Sequence, residues 1–284
     1  MTSSRVFDPL ARATSVRPEL ATFTYHDVTD DPSDSGFQRP AAMRYKLTRA
    51  AFARHLDAIG VGGPPSRIFD VNLAIPGRHH LLTFDDGGQS AVAEADEIAR
   101  RGWLGHFFVV TRLIGTRRFL TVSEVRYLRS CGHVIGSHSH THPDIFREQP
   151  RTRMDDEWRV SSDILAQILG EPCVAASVPG GDIALAVLDS AADVGLRYLF
   201  TSQPWLTPRR VRTCWILGRY SPTTATPLEQ VAALAQFRGW RGALLVRRLK
   251  DLARASLPML YRHYVRTKTR EFVQEGGGMG DGLT

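Results

Sequence analysis

Thr83-Phe84-Asp85-Asp86-Gly87 places two adjacent carboxylates at the end of an apolar run in this 284-residue chain. Further along, a second apolar run at 134–137 leads directly into Ser137-His138-Ser139-His140-Thr141-His142-Pro143. Short apolar runs of this kind predict strands, and both predicted strands end where the polar residues begin. Because parallel α/β folds place their sites at the carboxyl ends of strands, the two stretches together indicate such a fold.

The rest of the chain repeats this alternation of short apolar runs and longer helical stretches. Strands are predicted at 20–25, 80–84, 105–110, 134–137, 175–178, 198–201 and 215–220. Helices are predicted at 48–59, 89–101, 123–130, 154–169 and 184–194, and several of them end at a glycine. Repeated strand–helix units predict an α/β protein with parallel strands and helices on the outside.

The residue types in the two opening stretches point to metal chemistry. One carboxylate oxygen and two imidazole nitrogens can hold a divalent metal and leave a position open for water. The second carboxylate can then act as the base for that water. A solvated turn would explain the Asp-Asp-Gly-Gly stretch alone, but three histidines within five residues are harder to explain structurally. The pattern therefore indicates a metal-dependent hydrolase.

Taken together, the two motifs resemble the polysaccharide deacetylase family, the NodB-homology carbohydrate esterases. The resemblance extends from about Thr22 to Tyr220 and implies a distorted (β/α) barrel, followed here by basic C-terminal helices. It also implies a divalent metal, most often zinc, with cobalt, nickel and manganese as alternatives. By position, Asp85 would be the catalytic base, and the metal ligands would be Asp86, His138 and His142.

Other stretches supply the remaining candidate site residues. Thr24-Tyr25-His26-Asp27 resembles the Tyr-His start of many family members, which makes His26 a candidate catalytic residue at the mouth of the pocket. His140 is expected in the pocket wall or in a structural role. The loop Pro179-Gly180-Gly181 is expected to shape the pocket through its backbone groups.

Two family positions carry different residues in this chain. Ser177 stands where the family has the arginine that orients the base, and Arg219 stands where it has the histidine that acts as general acid. Because the pKa of arginine exceeds about 12, Arg219 cannot donate a proton at neutral pH, and we expect it to stabilise the oxyanion instead. The proton for the leaving amine then comes from His26, His140 or Asp85. The family's Asp-Trp block has no clear match.

The motifs predict a carbohydrate N-deacetylase that removes an acetyl group from an amino sugar in a glycan, a glycolipid precursor or a sugar-containing metabolite. In this prediction Asp85 is the general base and metal-bound water is the nucleophile. Two alternatives stay open. One is hydrolysis of another C–N bond, as in a deformylase or a cyclic imide hydrolase. The other is a non-catalytic barrel that binds glycan or membrane.

Four segments are predicted along the chain: an N-terminal extension (1–19), the barrel (20–222), a basic amphipathic helical segment (223–272) and a disordered tail (273–284). Residues 237–272 hold ten Lys or Arg and two acidic residues, so the net charge of +7 is concentrated there. Two interpretations stay open for these residues. They form a helix packed on the barrel with a solvated basic face, or they make peripheral contact with an anionic membrane.

The sequence also bears on the cellular location and the partners of the protein. No apolar run is long enough to cross a membrane, and the N-terminus lacks the apolar core of a secretory signal. We therefore expect a cytoplasmic protein. If the basic segment binds lipid, we expect the protein to be peripheral to the inner face of the membrane. No nucleic-acid-binding motif occurs, and the expected partner is an N-acetylated carbohydrate. The scattered cysteines Cys131, Cys173 and Cys214 are expected to be buried reduced thiols.

Overall fold

Ten strands and eight α-helices alternate along the part of the chain that the computed structural model describes, residues 17–257 and positions 259, 263, 265 and 267. The strands are β1 Pro18–Tyr25, β2 Asp27–Val28, β3 Lys46–Leu47, β4 Gly77–Phe84, β5 His106–Val109, β6 Val134–Ser137, β7 Ala175–Ser177, β8 Tyr198–Phe200, β9 Arg209–Val211 and β10 Cys214–Leu217. The helices are α1 Pro40–Met43, α2 Arg49–Gly60, α3 Ala91–Ala99, α4 Val122–Ser130, α5 Arg151–Leu169, α6 Leu185–Asp193, α7 Leu228–Ala235 and α8 Trp240–Ser256.

One curled sheet organises the molecule, with the strand order β1-β4-β5-β6-β7-β8-β10-β9. Its neighbouring strands pair in parallel from β1 to β10, and β9 is added antiparallel to β10 at the edge. The sheet curls back on itself, because Tyr220, just after β10, forms a parallel bridge with Phe23 of β1. The predicted α/β fold with a barrel-like parallel sheet is therefore confirmed, and the carboxyl ends of its strands share one rim.

The helix boundaries follow from local capping. The Thr48 side chain accepts a hydrogen bond from the Ala51 N–H at the start of α2. Thr121 and Glu124 form a reciprocal capping box at the start of α4. Gly170 ends α5 in the left-handed conformation, with φ of 73°, where glycine carries no steric penalty. The predicted helices accordingly begin and end close to their expected positions.

The largest core cluster lies between the sheet and its outer helices. Phe52 and Leu56 of α2 are fully buried there together with Phe23 of β1. Trp240, the first residue of α8, packs edge-on against Phe23 with ring centroids 6.1 Å apart and donates its indole N–H to the Leu234 carbonyl. The N-terminal end of α8 is thus fixed to the barrel by a buried aromatic anchor.

Several details differ from the sequence predictions. Strand β9 was not predicted, because Arg209–Val211 has no apolar alternation and is stabilised by pairing with β10. Helix α5 begins at Arg151, directly after Pro150, rather than at residue 154. Cys131 is exposed, so the expectation of three buried thiols was wrong, although Cys214 is buried and Cys173 is partly buried.

The segment boundaries remain predictions. Residues 1–16 and the predicted tail at 273–284 lie outside the described residues. Among the helices that the structure describes, none has the length and apolar content needed to cross a bilayer.

Candidate active site

The three predicted metal ligands lie together at the carboxyl rim of the sheet. Asp86 follows β4, while His138 and His142 follow β6. The Asp86 Oδ1 atom lies 3.3 Å from His138 Nε2 and 3.7 Å from His142 Nε2. One ligand atom from each residue lies within 4.8 Å of the other two. Two imidazoles and one carboxylate at this spacing fit a divalent metal such as zinc.

The backbone around the trio adopts conformations that are uncommon outside glycine. Asp86, Ser139 and His142 have φ values of 76°, 66° and 55°. Each such residue costs about 1–3 kcal/mol, and such residues concentrate at functional sites. Two hydrogen bonds stabilise the histidine loop: Ser137 Oγ accepts from the Ser139 N–H and Ser139 Oγ accepts from the His142 N–H, both at 3.0 Å. The sequence thus uses local polar bonds to hold this loop in a strained shape.

The environment of the two imidazoles suits metal binding through Nε2. His138 Nδ1 lies 3.0 Å from the Ser177 carbonyl oxygen, which can only accept, so Nδ1 carries the hydrogen and the Nε2 lone pair is available when the ring is neutral. Burial, with a further contribution from the Arg39 charge, lowers the pKa of His142 to about 3, so that ring is neutral. Without a metal, the charges of Asp85 and Asp86 outweigh burial and raise the pKa of His138.

Asp85 is held apart from this trio by a two-point contact with Arg219. Arg219 Nη1 donates to Asp85 Oδ1 at 2.7 Å, and Nη2 donates to Oδ2 at 2.9 Å. The Ser177 hydroxyl donates to Asp85 Oδ2 at 3.0 Å and accepts from Arg219 Nη2 at 2.7 Å. The described residues therefore occupy three of the roughly four lone-pair sites of the carboxylate, and one on Oδ1 can still accept a proton.

Arg219 is completely buried, with 0% of its surface exposed. Its Nη1 also donates to the hydroxyls of Thr24 and Thr83, both at 3.1 Å, and its Nε donates to the Thr201 carbonyl at 3.1 Å. The guanidinium thus lies inside the barrel and donates hydrogen bonds to residues of β1 and β4 and to the residue after β8. This arrangement corrects the expectation that Arg219 stabilises an oxyanion, because its donors are directed at Asp85 and the barrel wall.

The two departures from the family pattern act on the same carboxylate. Burial raises the pKa of Asp85, but the Arg219 charge, followed by that of His138, outweighs burial and brings the pKa below its usual value. Position 177, where the resemblance implies an arginine, holds a serine that hydrogen-bonds to both Asp85 and Arg219, and the guanidinium beside Asp85 belongs to Arg219. The sequence contained a signal for this arrangement, because Ser177 replaces an expected arginine and Arg219 replaces an expected histidine.

His26 lies at the same rim, at the end of β1. Its ring stacks on Tyr45, with centroids 4.7 Å apart. Its Nδ1 is buried and has no hydrogen-bond partner among the described residues. A positive charge on His26 lowers the pKa of both Asp85 and Asp86. Sequence reasoning missed Tyr45, because a single tyrosine after a polar loop belongs to no motif.

The other predicted pocket residues have separate positions. His140 Nδ1 lies 3.0 Å from the Thr111 hydroxyl, and His140 is outside the metal-type trio. The loop Pro179-Gly180-Gly181 follows β7 directly after Ser177 and Val178. Gly181 is required there, because its φ is 67° and an added Cβ would lie 1.8 Å from the Ser202 hydroxyl oxygen.

A loop before α1 covers His142, and sequence reasoning did not detect it. The Phe37 and His142 ring centroids lie 5.0 Å apart, and the Arg39 guanidinium lies 4.6 Å above the Phe37 ring. Arg39 Nη2 also lies 3.5 Å from His142 Nδ1. These contacts join residues far apart in sequence, so neither spacing nor composition indicates them.

Two buried acidic residues, Asp27 and Glu94, lie close to this loop. Asp27 Oδ1 accepts a 2.6 Å hydrogen bond from the Ser35 hydroxyl, and Lys46 Nζ lies 3.9 Å from Asp27 Oδ2. Glu94 Oε1 accepts from the Ser90 hydroxyl at 2.7 Å, whereas its buried Oε2 has no hydrogen-bond partner among the described residues. Burial raises the pKa of both carboxyls. They form a structural cluster beside the site, distinct from the metal-type trio.

Comparison with known proteins agrees with this geometry. The family model described as polysaccharide deacetylase matches residues 74–199, which include the trio and Asp85. IcaB from Ammonifex degensii is 21% identical with a TM-score of 0.64, over 77% of this chain and 97% of that one. The deacetylase PplD from Streptococcus pyogenes is 18% identical with a TM-score of 0.64, over 76% and 97%. A polysaccharide deacetylase from Bacillus cereus is 18% identical with a TM-score of 0.64, over 77% and 69%.

No curated protein sequence matches the chain. The family match confirms the predicted resemblance and the predicted hydrolase class, and the structural likeness confirms the predicted fold.

Proposed function

We propose that this chain, whose residues 74–199 match the polysaccharide deacetylase family model, removes the acetyl group from an N-acetylated amino sugar with the help of a divalent metal. The observation that carries the proposal is that the two adjacent carboxylates, Asp85 and Asp86, have different partners. Asp86 lies with two histidines, and Asp85 is held apart as an ionised base. A divalent metal held by Asp86, His138 and His142 would polarise the acyl carbonyl and favour ionisation of a water.

In this proposal Asp85 accepts a proton from the attacking water through the free lone pair on Oδ1. Arg219 and Ser177 act as positioning residues, because they orient the carboxylate and keep it ionised. The water oxygen bonds to the carbonyl carbon, and the C–N bond then breaks. The acyl group leaves as acetate with the water oxygen, and the sugar nitrogen takes a proton and leaves as the free amine.

We assign the proton donor for the amine to His26. Arg219 is buried with its donors directed at Asp85 and the barrel wall, and His140 Nδ1 is paired with Thr111. His26 fits this role better, because it lies at the same rim as the two carboxylates and its ring stacks on Tyr45. Its buried Nδ1 has no hydrogen-bond partner among the described residues. His26→Gln should reduce kcat by about 10²-fold or more and leave the metal content unchanged. A variant with wild-type kcat would exclude His26 as the donor.

The acetyl group is the favoured acyl group among the alternatives. The structure of the similar protein PplD was determined in complex with acetate, which is the acid product of this reaction. A non-catalytic binding barrel is less well supported than the sequence suggested, because the guanidinium missing at position 177 is replaced by Arg219 on the same carboxylate. A binding module has no need of a base held in this way.

The deciding experiment measures product formation from N-acetylhexosamine oligosaccharides by the purified, metal-loaded chain. Acetate and free amine should appear in equal amounts, and removal of metal by a chelator should abolish both. N-formyl sugars and cyclic imides, assayed in parallel, test the other C–N hydrolase activities. Turnover of one of these without acetate release would replace the proposed substrate class. Absence of turnover with all of them at full metal occupancy would favour the binding barrel.

A further inference from the structure

Helix α8 presents a long apolar surface that no other described part of the chain covers. Leu245, Val246, Leu249 and Leu252 are 59%, 52%, 58% and 64% exposed, although large aliphatic side chains are usually buried. At 3.6 residues per turn these four side chains fill one arc of about 120° around the helix. We call this arc the α8 apolar arc. Leu257, the residue that follows Ser256 at the end of α8, and Met259 are also exposed.

Cationic side chains border the α8 apolar arc on both sides. Arg241 and Arg248 lie along one edge and Lys250 along the other, and all three are exposed. None of the three forms an ion pair with a residue that the structure describes. The acidic residue of this helix, Asp251, is on the other side, where it pairs with Arg247 at 3.1 Å. The exposed face of α8 is therefore apolar at its centre and positively charged at its borders.

The opposite face of α8 is fastened to the rim of the barrel that carries the candidate active site. Arg247 and Arg254 both pair with Asp182, in the loop that follows β7. Asp251 Oδ2 accepts a 2.9 Å hydrogen bond from Gln203, in the loop that follows β8. Since Trp240 anchors the start of the helix, α8 is held in place from both ends while its apolar arc points away from the protein.

We propose that the α8 apolar arc lies on an anionic lipid membrane and holds the active-site rim next to it. An apolar centre with basic borders matches the two layers of such a surface, since leucines enter the acyl boundary and cations contact the headgroups. A second copy of the chain fits this surface poorly, because symmetric pairing would bring the same cations together. Nucleic acid fits poorly as well, because four exposed aliphatic side chains offer nothing to a phosphate backbone.

Vesicle co-sedimentation of the full chain tests the proposal directly. The protein should sediment with phosphatidylcholine vesicles that contain phosphatidylglycerol, bind vesicles of phosphatidylcholine alone more weakly, and bind the anionic ones less at high salt. Leu249→Ser with Leu252→Ser should reduce the affinity for anionic vesicles at least tenfold. Arg241→Gln with Arg248→Gln should reduce it less and flatten the salt dependence. The matched control is Val160→Ser on α5, because Val160 is 40% exposed and α5 packs against β6, away from β1, on which the start of α8 is anchored.

Two measurements guard against trivial results. Thermal melting of each variant checks that it is folded, and Leu249→Trp should show a blue shift of its fluorescence with anionic vesicles. Equal vesicle binding by wild type and the double serine variant would overturn the proposal. So would failure of the wild type to bind, or a dimer in solution that the double serine variant abolishes.

One consequence also rests on the proposed deacetylase function. If α8 sits on a membrane, the substrate class that best suits the site is an N-acetylated sugar attached to a lipid. The double serine variant should then keep wild-type turnover of a water-soluble substrate and lose at least tenfold on a vesicle-bound one. Loss of vesicle binding with no such difference would reject the lipid-linked substrate and leave both the membrane contact and the deacetylase activity standing.

Discussion

The Asp85 carboxylate has to satisfy two demands that oppose each other. As the proposed base, it must stay ionised in a buried position, and it must also be able to take up a proton. Burial raises its pKa and the charge of Arg219 lowers it below its usual value, so the ionised form dominates at neutral pH. Reactivity then depends on the one lone pair on Oδ1 that Arg219 and Ser177 leave free.

Replacing Asp85 by Asn tests its role as the base. The amide cannot take up the proton, so kcat should fall by about 10²–10⁴-fold while the metal content stays at the wild-type level. His138→Ala is the contrasting variant, because it should lose metal and activity together. Acetate release and elemental analysis on the same preparations give both values. Wild-type turnover in the Asn variant would remove the base assignment.

Glu94 makes the stability of the protein dependent on pH. Its folded-state pKa is raised well above the usual value by burial and then by the charge of Asp27, although the Ser90 hydroxyl opposes this. A group with a raised folded pKa stabilises the protein at low pH, and this stability is lost as the pH rises toward that pKa. Each pKa unit of difference corresponds to about 1.4 kcal/mol. Stability should therefore decline as the pH rises above the usual pKa of a glutamate, about 4.3, toward the raised folded-state pKa of Glu94.

The Glu94→Gln variant checks this, because glutamine stays neutral. Its free energy of unfolding should decline less than that of the wild type over the same pH range, as measured by urea unfolding at several pH values. Glu97→Gln on the same helix is the control, because the pKa of Glu97 is lowered by Arg100 and lies below this range. Parallel curves for the wild type and Glu94→Gln would contradict the assignment.

Strands β7 and β10 both place a residue next to Asp85, namely Ser177 and Arg219. Asp85, the proposed base, has a guanidinium beside it, and a residue at the end of either strand can supply one, because the two strands flank β8 and reach the same rim. The sequence revealed only the two changed positions, Ser177 and Arg219. Their relation depends on the curl of the sheet, in which Tyr220 returns to Phe23. Long-range closure of this kind has no local sequence pattern.

The exchange can be reversed experimentally. Arg219→Ser leaves Asp85 buried without its partner, which costs about 3–5 kcal/mol, and should lose most activity. Adding Ser177→Arg in the same chain should restore part of kcat with little change in KM, since the guanidinium again reaches the carboxylate. Arg219→Lys keeps the charge without the two-point contact, so kcat should fall more than KM rises. If the double variant is folded yet recovers no activity, Arg219 has only a structural role.

Other elements show where prediction from sequence works and where it stops. The strand before His138 was predicted at its observed bounds, because a short apolar run ended by polar residues is a clear local signal. The grouping of Asp86, His138 and His142 could also be predicted, because the two histidines lie four residues apart in the loop that follows β6. Phe37 against His142 was not, because that contact forms only when the loop before α1 folds over the rim.

At the scale of the whole molecule, the candidate metal site connects distant parts of the chain. Asp86 follows β4 and both histidines follow β6, so the unfolded chain has no preformed site. A ligand that binds only the folded state stabilises it, by about 2.7 kcal/mol when its free concentration is a hundred times Kd. For a domain of this size that corresponds to a rise in Tm of roughly 5–10 °C.

Titration of the metal-free protein with Zn²⁺ should therefore raise its Tm by that amount, and a chelator should reverse the shift. His142→Ala should abolish the shift, because it removes a ligand from the trio. His140→Ala is the matched control two residues away; it should keep the shift, because His140 is paired with Thr111 outside the trio. Asp85→Asn should also keep it, which separates metal binding from proton transfer. An equal shift in His140→Ala and His142→Ala would place the stabilising metal elsewhere in the chain.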